Sequence, residues 1–250
     1  MNRSFYKILF AIVLIILLAE LCLFQRGCNV DKTTPPPAPP AKPVVIITPD
    51  AMAGWRKIEP PTYFNPASDF AADKNPAGVW SYGKMAADGV FQPYDTQHQD
   101  QGVQGWKMGP IPDSAGSLLF NPTDKTVRIA GTIDLPSKGL SMHPGQNHIR
   151  CVLRWTAPKD GTATGSGAIL GYSNVGGTPQ TVMTIAAGSE TLATARLNHE
   201  GKPNRDNFQF QRQVKMGDTI DFRLDYPGGF FCLTTGLDVT ITLQATPPKP

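Results

Sequence analysis

Leu237-Asp238-Val239-Thr240-Ile241-Thr242-Leu243 alternates apolar and polar side chains without a break. Successive side chains of a strand point to opposite faces. Leu237, Val239, Ile241 and Leu243 therefore share one face, and Asp238, Thr240 and Thr242 take the other, as in a half-buried strand. The same period returns in Ile149, Cys151, Leu153 and Trp155, in Phe208 and Phe210, in Ile220, Phe222 and Leu224, and in Val127, Ile129 and Ile133. Turn formers such as Gly217-Asp218 separate the runs. Pro158, Pro179, Pro203 and Pro227 also fall between them, where a missing ladder N–H costs least. No segment after residue 50 carries a long helical stripe, and 24 glycines and 24 prolines cut the chain into short pieces. The pattern predicts an all-β domain over residues 62–245, an antiparallel β-sandwich of jelly-roll type.

Upstream of the regular runs, Tyr63 to Phe120 is less periodic and rich in aromatics: Trp80, Tyr82, Phe91, Tyr94 and Trp106. Short strands joined by long loops are expected there. No repeat of fixed period is visible, which argues against a propeller or solenoid.

The N-terminus is of another kind. Ile8 to Phe24 is an apolar run of seventeen residues, preceded by Arg3 and Lys7. That length is near the minimum for crossing a bilayer core, and the flanking charges predict an N-in, C-out transmembrane helix. Bulky residues from Leu21 to Phe24 lack the A-x-A-like arrangement of a cleavage site, which favours a retained signal anchor over residues 1–28. Cys28 has Gln25 and Arg26 where a lipoprotein signal carries Leu and a small neutral residue, so lipidation is disfavoured. Glu20, one turn from the outer end, is expected to reach the headgroups. A proline-rich linker follows over 29–61; its tract Pro35 to Pro43 makes a semi-rigid polyproline II spacer of roughly 28 Å. A short proline-rich tail closes the chain at 246–250. The folded domain is thus expected on the extracytoplasmic side of a cell membrane.

The formal charge of +3 comes from scattered Lys and Arg with no basic run after the anchor, which leaves nucleic-acid binding without support. Cys22 and Cys28 belong to the anchor. Two readings of Cys151 and Cys232 stand side by side: a disulfide in a compartment that permits one, or two small apolar core residues in separate strands.

Three ordered stretches carry a resemblance. Ser68-Asp69-Phe70 precedes Asn75-Pro76-Ala77-Gly78-Val79-Trp80-Ser81-Tyr82-Gly83. Leu140-Ser141-Met142-His143-Pro144-Gly145 leads into Arg154-Trp155-Thr156-Ala157-Pro158. Gly217-Asp218-Thr219-Ile220-Asp221-Phe222 is followed by Thr235-Gly236-Leu237-Asp238. Together, over roughly residues 64 to 243, they resemble a family of jelly-roll, carbohydrate-binding-module-like domains in secreted and surface proteins of environmental bacteria, planctomycetes especially. The resemblance implies a binding domain without catalytic machinery. Phe231-Cys232-Leu233 departs from the polar or acidic residue that family often has before its TGLD element.

Standard catalytic constellations are missing: no HExxH, GxSxG, Walker loop, CxxC or EF-hand loop occurs. Gly165-Ser166-Gly167 with Gly171 has the wrong spacing and setting for a dinucleotide fingerprint. His98, His143, His148 and His199 are dispersed, and His143 before Pro144-Gly145 is expected to stabilise a turn. Asp69 and Asp238, near the first and last strands, are the candidate ligands of a structural calcium ion; Asp73 and Asp221 are weaker candidates. A sugar platform requires exposed rings with nearby amides. Trp106, Tyr94, Tyr172 and Tyr226 lie in loop-like segments and are the candidates, with Gln97 and Gln99 of the loop Gln97 to Gln104 supplying amides. Trp80 and Trp155 sit in strand patterns and belong to the core. The expected function is a membrane-anchored, non-catalytic module binding a glycan or another envelope polymer. The alternatives are a structural or adhesive protein with a protein partner, and an unrecognised hydrolase.

Overall fold

A computed structural model describes residues 59–107, 116–172, 176–200, 204–229 and 232–246. The expected membrane helix, the proline spacer as far as residue 58, and residues 247–250 of the tail lie outside the described residues. Among the described residues no helix is long and apolar enough to cross a membrane.

The strands, in chain order, are β1 (Thr62–Phe64), β2 (Trp80–Met85), β3 (Phe91–Pro93), β4 (Thr96–Asp100), β5 (Val103–Lys107), β6 (Ser117–Phe120), β7 (Val127–Ile129) and β8 (Ile133–Leu135). They continue as β9 (Leu140–His143), β10 (Arg150–Thr156), β11 (Gly161–Gly171), β12 (Gly176–Ala187), β13 (Glu190–Glu200), β14 (Arg205–Val214), β15 (Thr219–Asp225) and β16 (Thr235–Ala245). Every pairing between them is antiparallel.

From β9 onward the chain divides its strands between two sheets, in the orders β14-β11-β16-β9 and β13-β12-β15-β10. These eight strands form two interlocked Greek keys, the jelly roll. Earlier strands widen it. β6, β5 and β4 extend the first sheet beyond β9, while β2 and β3 extend the second beyond β10. β1 takes the free end of β16, pairing Thr62 with Leu243 and Phe64 with Ile241.

Side-chain alternation decides how the sheets face each other. Leu237, Val239, Ile241 and Leu243 of β16 meet Leu153, Trp155, Phe222 and Leu224 of the opposite sheet in one buried cluster that also holds Trp80 and Tyr82. Burying each large apolar side chain contributes about 1.5–3 kcal/mol, and this cluster is the main source of stability. β11 enters the core differently. Its inward positions before Ile169 are Gly161, Ala163, Gly165 and Gly167, and a Cβ at Gly165 would overlap the Phe210 ring arriving from β14. Small residues on one strand thus make room for large rings on its neighbour.

Two sequence expectations are corrected. Val127, Ile129 and Ile133 do not belong to one strand: a turn at 130–132 folds them into the separate hairpin β7–β8, with Ile129 opposite Ile133. The expected loop Gln97 to Gln104 is the β4–β5 hairpin. Its two-residue turn places both Gln101 (φ 49°) and Gly102 (φ 84°) in the left-handed region, as a turn matching strand twist requires.

Candidate functional site

The outer face of the eight-stranded sheet has two parts. On the β14-β11-β16 side the outward residues form cross-strand rows: Asn207-Ala168-Asp238, Gln209-Ser166-Thr240, Gln211-Thr164-Thr242 and Gln213-Thr162-Gln244. β1 lengthens the third row by one residue, because Tyr63 pairs with Thr242 and shares its face. Phe64, its neighbour, turns inward and meets the Trp155 ring edge-on at 5.7 Å. Tyr63 is left 67% exposed, an aromatic ring standing beside a shelf of amides and hydroxyls. Part of this shelf, lined by Ser166, Asn207, Gln209, Asp238, Thr240 and Arg205, is dished into a depression of about 610 Å³.

Tyr172 separates the shelf from the second part. Its ring lies flat on Gly236, where any Cβ would overlap it, and it packs against a small second core of Val103, Ile129 and Leu135. Burial, reinforced by the Asp238 carboxylate, pushes the Tyr172 phenol up to about 12, with Arg205 acting in the opposite direction. Beyond Tyr172, the β7–β8 hairpin stands over β5, β6 and β9 and walls a groove of about 390 Å³. Val103, Leu119, Ile129 and Ile133 give it apolar surface, and His98, Lys107 and His143 line it as well. Asn121 holds the hairpin in place. It is fully buried, and its Nδ2 donates to the carbonyls of Lys125, Leu135 and Pro136 at 2.7, 3.0 and 2.9 Å.

These positions sort the residues singled out from the sequence. Tyr172 and Asp238 come together on the outer face. Trp106 and Tyr94 do not serve as platforms. Both are buried in the core, and Trp106 Nε1 donates to the Ala71 carbonyl at 2.8 Å, because β5 turns Trp106 inward against Tyr82. Tyr226 is likewise buried, stacked on His148 at 4.9 Å on the other sheet's side. Gln97 and Gln99 are exposed on the edge strand β4, opposite Trp106 and Gln104. Their partner-facing neighbour His98 is the one that reaches the groove.

Asp69 and Asp238 do not share a ligand set with a third acid. Asp69 accepts hydrogen bonds from the Asn65 amide, Ser68 Oγ and Trp80 Nε1, each at 3.1 Å. Among the described residues no three His, Cys, Asp or Glu side chains gather as a metal site would need. Asp221 is buried in an ion triad, with Arg154 Nε at 2.7 Å and Arg223 Nη2 at 2.9 Å. Cys151 and Cys232 are unbridged here; Cys151 is buried in β10, as the core reading expects, while Cys232 is partly exposed in the turn before β16. Cys151 donates to the Ser117 carbonyl at 3.2 Å, and burial pushes its thiol up to about 12. His143 holds its turn through Nδ1 and the Pro144 carbonyl, 2.8 Å apart. The side chain of His199 lies outside the described residues.

The stretches that carried the resemblance are largely structural. Asn75 donates to the carbonyls of Tyr82 and Tyr94 at 2.7 and 2.9 Å and accepts from the Tyr82 amide at 3.0 Å, tying the loop to β2. Gly217 N–H donates to the Ala157 carbonyl at 2.9 Å, and Ala157 N–H to that of Asp218 at 2.8 Å. Tyr63, Asn207, Gln209, Gln211 and Arg205 were missed by sequence reasoning. The signal for four of them was present: 205–213 places a polar residue at every odd position.

No family model and no curated protein matches the chain. Among solved structures it is similar to the xylan-binding CBM22-1 domain of Paenibacillus barcinonensis Xyn10C, at 12% identity, TM-score 0.34, over 76% of this chain and 98% of that one. It is also similar to CsCBM6-3 of Clostridium stercorarium in complex with cellobiose, at 11% identity, TM-score 0.28, over 66% and 95%. The Eiger TNF of S. frugiperda matches at 12% identity, TM-score 0.27, over 39% and 67%. Scores of this size carry no argument about a ligand, and the case for one rests on the chain's own side chains.

Proposed function

We propose that the domain is a non-catalytic carbohydrate-binding module whose site is the polar shelf of the eight-stranded sheet. The observation that carries the reading is the row Gln211-Thr164-Thr242-Tyr63. An exposed ring offers a flat apolar surface to the C–H face of a sugar, while amides and hydroxyls in register beside it exchange hydrogen bonds with hydroxyl groups. Members of a row stand about 4.8 Å apart across the strands and successive rows follow about 6.8 Å apart along them, so an extended polymer meets a new set of donors and acceptors along its length. Glycoside hydrolysis uses a pair of carboxylates, and Asp238 is the lone acid lining the depression among the described residues. In this reading the apolar run 8–24 is the membrane anchor and the proline tract the spacer that presents the shelf outside the cell.

A glycan-array screen of the full chain in mild detergent, with calcium and with EDTA, tests the proposal. Tyr63→Ala is expected to weaken retention about tenfold, close to 1.4 kcal/mol. Gln211→Ala, removing hydrogen bonds worth about 0.5–1.5 kcal/mol each, is expected to weaken it severalfold. Retention unchanged in both variants, with the fold intact by circular dichroism, would sink the reading.

A further inference from the structure

We propose that the groove under the β7–β8 hairpin is a second binding site, separate from the shelf, for a small organic anion with an apolar body. Charge is the first reason. Lys107 carries a charge and lines the groove beside the imidazoles of His98 and His143, and among the described residues no Asp or Glu lines it. A cleft lined by one sign of charge with apolar walls concentrates the opposite charge. The second reason is a set of buried hydroxyls. Ser117, Ser141 and Thr234 line the groove and are 8%, 1% and 4% exposed, which places their hydroxyls at its wall. A hydroxyl along a cavity wall can donate one hydrogen bond to a guest and accept others. The third is shape. A volume of about 390 Å³ is at the small end of ligand pockets, and the apolar contribution of Val103, Leu119, Ile129 and Ile133 suits a short aliphatic or single-ring body.

The groove carries its own reporter. Cys232 lines it, is partly exposed, and has its backbone in the left-handed region at φ 63°, a conformation costly for a residue with a Cβ and frequent at binding sites. The experiment uses the full chain with Cys22→Ser and Cys28→Ser, leaving Cys232 to react while Cys151 stays buried. Thiol modification by an anionic (sulfonatoethyl) and a cationic (trimethylammonioethyl) methanethiosulfonate is timed, each rate divided by that for free N-acetylcysteine. The anionic reagent is expected to be favoured on the order of tenfold. Hexanoate should slow modification where hexanol at the same concentration does not, and Lys107→Gln should remove most of both effects. Equal normalised rates without protection by hexanoate would overturn the proposal, as would equal protection by hexanol or a Cys232 that reacts with neither reagent in the folded chain.

Discussion

Asp221→Ala should be among the most damaging single changes on the sheet that faces away from the shelf. Asp221 is 1% exposed and lies between Arg154 and Arg223, cross-strand and same-strand neighbours on one face. Arg154 Nε and Nη2 reach its two oxygens at 2.7 and 3.0 Å, and Arg223 adds two bonds, from Nη2 at 2.9 Å and Nε at 3.3 Å. Removing the carboxylate leaves two guanidinium groups beside each other with their side chains only 23% and 18% exposed. Breaking a buried pair in this way costs about 3–5 kcal/mol. Two contacts survive: Arg154 stays 4.1 Å above the Phe91 ring, and Arg223 still donates to the Gly188 carbonyl at 2.8 Å. The lower figure, about 3 kcal/mol, is therefore expected, and at about 2–4 °C per kcal/mol for a domain of this size Tm falls by roughly 6–12 °C. Urea and thermal unfolding followed by tryptophan fluorescence measure both. Replacing the whole triad, with Arg154→Met, Asp221→Leu and Arg223→Met, should recover most of the loss, since apolar side chains need no compensation there. A loss below about 1 kcal/mol for Asp221→Ala, or a triple variant no more stable than it, would refute the reasoning.

Alkali should destabilise the fold before it harms the main chain. Burial holds Cys151, ordinarily at 9.0, and Tyr82 and Tyr172, ordinarily at 10.0, up to about 12. The folded state keeps protons that the unfolded chain releases. Stability is therefore fully present below about pH 9 and falls as pH rises toward about 12. Urea melts across that window should show the decline, and Cys151→Val should flatten its first part; a slope unaltered by that variant would exclude Cys151 as a cause. Asn121→Ala strips three carbonyls and the Thr123 amide of their partner and should cost about 3 kcal/mol, loosening β7–β8 in particular. Amide exchange over Val127 to Leu135 is expected to quicken more than that of β10; equal change in both would show that Asn121 supports the fold generally.

β16, β10 and β15 were legible because each alternates strong apolar residues with polar ones, and that alternation states both the strand and the face. It also placed Asp238, Thr240 and Thr242 outward. β11 gives a weaker signal, since its inward residues before Ile169 are Gly161, Ala163, Gly165 and Gly167 and the apolar mass there arrives from Phe208 and Phe210 on β14. Trp106 was misjudged for a related reason. In Val103-Gln104-Gly105-Trp106-Lys107 a glycine holds an outward position and Val103 faces the second core, so both faces of β5 carry an apolar residue and the period blurs. Tyr63 was illegible on its own terms. Three residues are too few for a period, and its exposure follows from pairing with Thr242 across the length of the chain. Tyr172 was found as an aromatic in a break between strands, but its partner Gly236 is visible only once strands β11 and β16 lie side by side.

Because β1 runs against the end of β16, with Thr62 opposite Leu243, the first and last strands of the domain are hydrogen-bonded neighbours. The chain order is thus nearly circular. A short linker joining the two strand ends should allow new termini to be opened in the two-residue turn Gly188-Ser189, which links β12 and β13 on the sheet opposite the shelf. A circular permutant of that kind would keep every row of the shelf while moving the attachment point of any tether from the edge beside Tyr63 to the other sheet. Anything fused to the natural ends of the domain, by contrast, emerges next to Tyr63 and competes for space with whatever the shelf holds.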